Sequence, residues 1–403
     1  MSTDPWPPNG HQDQLSRLPV PDDALLRQSK SLVELIVERI DQSGGRLPFD
    51  RYMELALYAP GLGYYSAGSR KFGESGDFIT APETSNLFAR CLARQCRQVL
   101  EEVGGGDVLE FGAGSGVLAA DLLDELEALG SLPDRYLIVD VSPDLKARQK
   151  VLLQQRLPGV MNRIFWLDGF PAEGFRGLII ANEVLDAMPV HRFRVDQGRV
   201  QEQYVEVAGD QLKLNWGVAS HVLQASVEHL LELSDGISAD YESELNLRAA
   251  PWLRALSERL AAGLILLIDY GYNRAEYYHP QRERGTLMCH YRHRAHQDPL
   301  FHPGLQDITA QVDFTGLAEA ALEAGLAVCG YTTQAFFLMG CGLERLLADS
   351  DPEDVQRHLQ LMQGAKRLTL PSEMGERFKV LGLSRGLRAQ PIGFSVRDMR
   401  GRL

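Results

Sequence analysis

Two carboxylates three residues apart, Glu183 and Asp186, stand in the stretch NEVLDAMPVHRF (182–193), directly after a short apolar run. If a helical turn starts there, both lie on one face. A paired-acid face suits a planar guanidinium, whose N–H fork carboxylates bind bidentately. The same spacing also fits a helix-start acid facing the macrodipole beside a surface aspartate. A second constellation is VLEFGAGSG (108–116), an apolar run ending in Glu110 followed by Gly112, Gly114 and Gly116 at every second position. Small residues at a strand-to-helix turn let the backbone approach a nucleotide closely. A dinucleotide fingerprint needs glycine at position 117, where Val117 stands.

Further acids fall where later apolar runs end. Asp140 lies thirty residues after Glu110, where an acid can accept hydrogen bonds from both ribose hydroxyls of a bound nucleoside. It also fits a helix N-cap, because Asp140 and Ser142 precede Pro143. Asp168 is placed to reach the adenine end of such a ligand, or serves as a turn residue before Gly169. The loop GDFITAPE (76–83) packs Gly76, Asp77 and Glu83 into eight residues, and its acids could close over a ligand. Asp269 ends another apolar run, in IDYGY (268–272). His290, His293 and His296 recur at three-residue steps, but no carboxylate or Cys completes a compact ligand set, so no metal is expected.

The elements that must carry these residues alternate. Apolar runs at 108–111, 136–139, 164–167, 178–181 and 264–268, with helical periodicity between the first three, predict a parallel sheet covered on both faces. The fold class is therefore α/β, Rossmann-like, and ligands are expected at the carboxyl ends of the strands near the switch point. Residues 1–22, with five prolines, are expected to be a mobile leader, and 23–103 a helical N-terminal cap. Residues 104–403 form the expected core. Its insertion 192–250 and its loop 273–304 are the expected substrate region. The insertion includes an alternating stretch at 191–216, with turn signals at 196–198 and 209–210, that predicts a β-meander. Helices are expected at 218–233, 249–262 and 314–324, and a final strand at 378–383.

Charge bounds the partners. A net charge of −13 argues against a broad grip on nucleic-acid phosphates. Five cysteines show neither a C-x-x-C pair nor zinc spacing and are expected to be reduced, packed thiols. No apolar stretch reaches the length of a membrane span. The first residues carry neither a signal-peptide core nor an Arg-rich transit pattern, so a cytoplasmic location is expected.

Glu-x-Gly-x-Gly-x-Gly at 110–116 resembles the first motif of class I S-adenosylmethionine (SAM) methyltransferases. Together, GDFITAPE, LEFGAGSG, VDVSPDL, ANEVLDAMPVHRF, LLIDYGY, GTLMCHYRHR and QDITAQVDFT resemble the MidA-like methyltransferases over residues 48–383. Mitochondrial members of that family dimethylate an arginine of a partner subunit during assembly of respiratory complex I. The resemblance implies SAM as methyl donor, a class I methyltransferase fold with family insertions, and a protein substrate, with a respiratory-complex subunit as candidate. It implies that Glu110, Gly112, Gly114 and Gly116 line SAM and that Asp140 holds its ribose. Asn182, Glu183 and Asp186 would face the reacting centre, and Gly76, Asp77 and Glu83 would close the site. Two positions depart from the pattern: the cap motif continues PETS where PEIS is usual, and Gln311 stands where histidine is expected. The second departure carries no base to that position, although glutamine keeps a hydrogen bond.

The sequence thus points to a bacterial-type, SAM-dependent protein-arginine methyltransferase in which Glu183 and Asp186 orient the guanidinium. Its competitors are a SAM-dependent methyltransferase of a small molecule or RNA, and a SAM-binding assembly factor with little turnover.

Overall fold

A computed structural model describes residues 18–67, 80–233, 237, 240–350 and 353–403. The chain forms two compact units, each built from separated segments: 1–78, 187–246 and 279–310 in one, 79–186, 247–278 and 311–403 in the other.

The second unit is built on one sheet. Its main strands are β1 (Asp107–Phe111), β2 (Tyr136–Val139), β3 (Ile164–Leu167), β4 (Phe175–Asn182), β5 (Leu260–Tyr272), β6 (Ala327–Thr333) and β7 (Phe378–Arg385). Their spatial order is 3-2-1-4-5-7-6, with Val312–Asp313 added parallel to the end of β5. Strands 1 to 5 are mutually parallel, while β7 runs antiparallel to both β5 and β6. The chain starts at β1, builds outward to β3, then returns to lay β4 on the other side of β1. That reversal opens a crevice at the carboxyl ends of β1 and β4.

Burial explains why these runs are strands. Leu178, Ile179 and Ile180 of β4 and Leu264–Ile268 of β5 are fully buried, as β-branched and leucine runs covered on both faces must be. One covering layer includes α1 (Leu87–Val103), α2 (Val117–Ala128) and α3 (Pro143–Arg156), whose buried leucines, alanines and cysteines join the sheet in one core. Pro143 occupies the first turn of α3, where its missing N–H costs nothing, and Ser142 caps it by accepting from Leu145 N. Helix α1 stops at Gly104, which adopts φ +76°.

The five expected sheet strands and the final strand are all present, longer than their apolar cores at β4, β5 and β7. Strand β6 was not expected. AVCGYTT lacks a clean two-residue alternation and contains Gly330, against which Phe394 packs too closely for any side chain. The apolar stretch 335–339 that follows is part of a helix, Gln334–Gly340.

The first unit holds helices Asp23–Gln42 and Phe49–Tyr58 and the expected meander, His191–Asp196, Arg199–Ala208 and Gln211–Val218. Arg46–Pro48 and Tyr241–Leu245 complete that antiparallel sheet. The helix expected from 218 begins at His221, because the third meander strand runs on to Val218. The stretch expected as a plain loop, 273–304, carries strands Met288–Tyr291 and Arg294–His296, which pair with each other and with Asp307–Thr309. Strands of three or four residues are too short to show a period. His290 and His296 lie on those strands and His293 in the turn between them, at φ +61°. A buried group links the helix to the meander: His191 Nδ1 lies 2.9 Å from Glu202 Oε1 and 3.7 Å from Asp50 Oδ1. Among the described residues no helix is long and apolar enough to cross a membrane.

Candidate functional site

The site residues within the second unit gather at the carboxyl ends of β1, β2 and β4. Leaving β1, the chain turns through Gly112, Gly114 and Gly116 at φ +63°, +54° and +87°, the left-handed region that glycine enters without penalty. A Cβ on Gly112 would lie 3.0 Å from Val184 Cγ2, in the loop that follows β4. The two strand ends on either side of the switch point therefore pack directly against each other. A Cβ on Gly116 would lie 3.3 Å from Gln149 on α3. Ser115 Oγ donates to Glu83 Oε1 at 2.5 Å, which ties the short helix Ala81–Thr84 to the glycine turn. Gly76 and Asp77 lie outside the described residues.

Asp140 follows β2. One carboxylate oxygen accepts from Ser142 N at 2.9 Å and the other from Gln149 Nε2 at 2.8 Å. The cap of α3 is Ser142, so Asp140 is spared that duty. Burial raises the Asp140 pKa, and its hydrogen bonds from Ser142 and Gln149 hold the rise in check. Gln149, which sequence reasoning passed over, is fully buried and joins three parts of the site: it donates also to Gly114 O at 3.0 Å and accepts from Trp166 Nε1 at 2.9 Å. Nothing about a glutamine midway along a mostly polar helix signals this role.

Glu110 and Asp168 are placed differently from each other. Glu110 is buried in β1, and Tyr136 donates to it at 2.7 Å. Burial raises its pKa to about 7, with the Tyr136 hydrogen bond opposing and the Asp140 charge adding. Its visible partner is thus a core tyrosine. Asp168, after β3, has a fully exposed side chain paired with Lys146 at 3.0 Å.

After β4 the chain does not begin the helical turn that would put Glu183 and Asp186 on one face. Residues 183–188 form bends and a turn. Glu183 itself adopts φ +54°, uncommon and strained for a non-glycine residue. What replaces the helix is a fixed loop. Glu183 N donates to Ile268 O at 2.9 Å. Leu185 N and Asp186 N donate to Asp269 Oδ2 at 2.9 and 3.2 Å. Asn182 Nδ2 donates to Glu183 Oε1 at 3.2 Å, so Asn182 and the two acids form one short acidic loop. Tyr270 stands beside it; burial raises its pKa well above the usual value, and the charges of Glu183, Asp186 and Asp269 raise it further.

A nucleoside with a cationic tail fits this surface on the structure's own terms. The turn at Gly112 favours bare backbone, with φ +63° and Val184 Cγ2 only 3.0 Å from where a Cβ would lie. Asp140 presents a buried carboxylate at the next strand end. Asn182 Oδ1 is buried with no hydrogen-bond partner among the described residues, an acceptor suited to an N–H donor.

Known proteins agree. The S-adenosyl-L-methionine-dependent methyltransferase family matches residues 91–332, more than half of the chain. The Drosophila melanogaster mitochondrial protein arginine methyltransferase NDUFAF7 homolog is 30% identical over 377 residues, 86% of this chain and 83% of its own. The Homo sapiens mitochondrial protein arginine methyltransferase NDUFAF7 is 29% identical over 374 residues, 85% of this chain and 81% of its own. A crystal structure from Burkholderia thailandensis with S-adenosyl-homocysteine bound is 43% identical, covers 96% of this chain and 100% of that one, and superposes with a TM-score of 0.91. With that family spanning the switch-point turn and the loop after β4, the chain belongs to the S-adenosyl-L-methionine-dependent methyltransferases and uses S-adenosyl-L-methionine as its cofactor.

Proposed function

We propose that this methyltransferase modifies an arginine nitrogen of a partner protein. The observation that carries the proposal is the acidic loop Asn182–Asp186, fixed at the switch point against the glycine turn. When bound, SAM supplies a sulfonium methyl open to in-line displacement, so the chain's contribution is to align the acceptor nitrogen and enrich its electrons. Gly112, Gly114 and Gly116 admit the donor's backbone-facing edge, Asp140 accepts from its ribose hydroxyls, and Asn182 Oδ1 accepts from its N–H groups. Glu183 and Asp186 take the guanidinium fork and hold its positive charge away from the reacting nitrogen. The names of the fruit-fly and human relatives, protein arginine methyltransferases, support the same acceptor.

A lysate labelling experiment separates acceptor classes. Lysate of a strain lacking the gene is incubated with purified enzyme and [methyl-3H]SAM, then divided between protease and nuclease. Label released by protease and resistant to nuclease is expected; nuclease-sensitive or small-molecule label rejects the protein acceptor.

A further inference from the structure

The geometry points to Asp269 as a positioning residue that clamps the acidic loop and thereby sets Glu183 and Asp186 for the acceptor. This rests on those two acids serving the acceptor. Asp269 lies near the carboxyl end of β5 and is fully buried. One oxygen accepts from Leu185 N and Asp186 N, and the other from Tyr270 N at 2.8 Å. A single carboxylate therefore fastens the backbone of the loop after β4 to the strand beside it. Lys379, its register partner on β7, does not neutralise it: Lys379 Nζ donates to the carbonyls of Glu376 and Arg377.

Burying a carboxylate with amides for partners is costly. Burial raises the Asp269 pKa to about 7, and N–H donors from Tyr270, Asp186, Leu185 and Val184 pull against that rise. A neutral side chain would fill the same space without that cost. What only a carboxylate offers is two faces of acceptors, one for the loop and one for its own strand. The loop needs such an anchor because Glu183 sits in a left-handed conformation that the surrounding structure must impose. A displacement of about 1 Å at a site of this kind costs about a hundredfold in rate.

The test compares wild type, Asp269→Asn and Glu183→Gln. Asn keeps the volume but accepts from only one of the two sides. Three quantities are read: the initial rate of protein labelling in gene-deleted lysate, S-adenosylhomocysteine affinity by calorimetry, and hydrogen exchange in peptides covering 182–188. For Asp269→Asn the rate falls about a hundredfold, affinity for S-adenosylhomocysteine holds, and the peptide loses protection. A wild-type rate overturns the proposal. So does a loss of rate matched by an equal loss of affinity, which marks a merely structural residue. If instead Glu183→Gln retains the wild-type rate, the acceptor role of the loop has failed, and the clamp's purpose with it. Hydrogen exchange on the wild type tests the clamp with no substitution at all. The Leu185 and Asp186 amides exchange at least about a hundredfold more slowly than open turn amides; open-turn rates there overturn the clamp.

Discussion

Glu183→Gln lowers the rate of methyl transfer by about 10²–10³-fold, the cost typical of removing one aligned charge-stabilising group, and leaves S-adenosylhomocysteine binding intact. Glutamine is isosteric, and the hydrogen bond that holds the Glu183 backbone, from its N–H to Ile268 O, does not involve the side chain. The loop therefore keeps its course while the charge is lost. Asp186→Asn acts in the same direction for the same reason, since the bond from Asp186 N to Asp269 is also backbone. If, as proposed, the two acids address one guanidinium, the double variant falls well short of the product of the single effects. Steady-state kinetics beside calorimetry checks this. Full activity in both single variants would reduce the loop to structure and revive an assembly factor with little turnover, which should complement a deletion strain even with both acids replaced.

Gly114→Val has the opposite signature: S-adenosylhomocysteine binding falls at least about a hundredfold, and the rate falls with it. At φ +54° a β-branched residue stores about 1–3 kcal/mol of strain. Relief by a shift of the turn strains the bond by which Gln149 holds Gly114 O at 3.0 Å. Gln149 also donates to Asp140 at 2.8 Å, so a shift of the turn reaches the proposed ribose-binding acid together with the glycine cradle. Calorimetry reads the loss and circular dichroism checks that the fold survives. Equal binding by the variant and wild type would sink the site.

Much of this was legible in the residues. The order of strands and helices followed from apolar runs separated by helical periods, because a parallel sheet buried on both faces leaves continuous leucine, isoleucine and valine runs such as Leu264–Ile268. The missing glycine at position 117 separated a SAM turn from a dinucleotide turn, and the resemblance to MidA-like methyltransferases holds in the family match and in the relatives. Other features are long-range and left no local mark. Asp269 is 83 residues from Asp186 along the chain, and only the pairing of β4 with β5 brings them together. Gln149 meets Gly114 across the α3 crossover, where a polar residue at a buried helical position looks like any other. The helical turn expected after Asn182 failed for a physical reason. Glu183 takes a left-handed φ of +54°, which breaks a right-handed helical course, and the Leu185 and Asp186 amides beyond it are held by the buried carboxylate of Asp269. Short strands in the His-rich stretch were hidden because three residues show no period.

The central claim, that Glu183 and Asp186 direct methyl transfer to an arginine of another protein, is tested most directly by methylarginine proteomics. The comparison is a strain lacking the gene, the same strain complemented with wild type, and the same strain complemented with Glu183→Gln. A methylarginine peptide present with wild type and missing from both other strains is the predicted result. An identical methylarginine proteome in all three would contradict it.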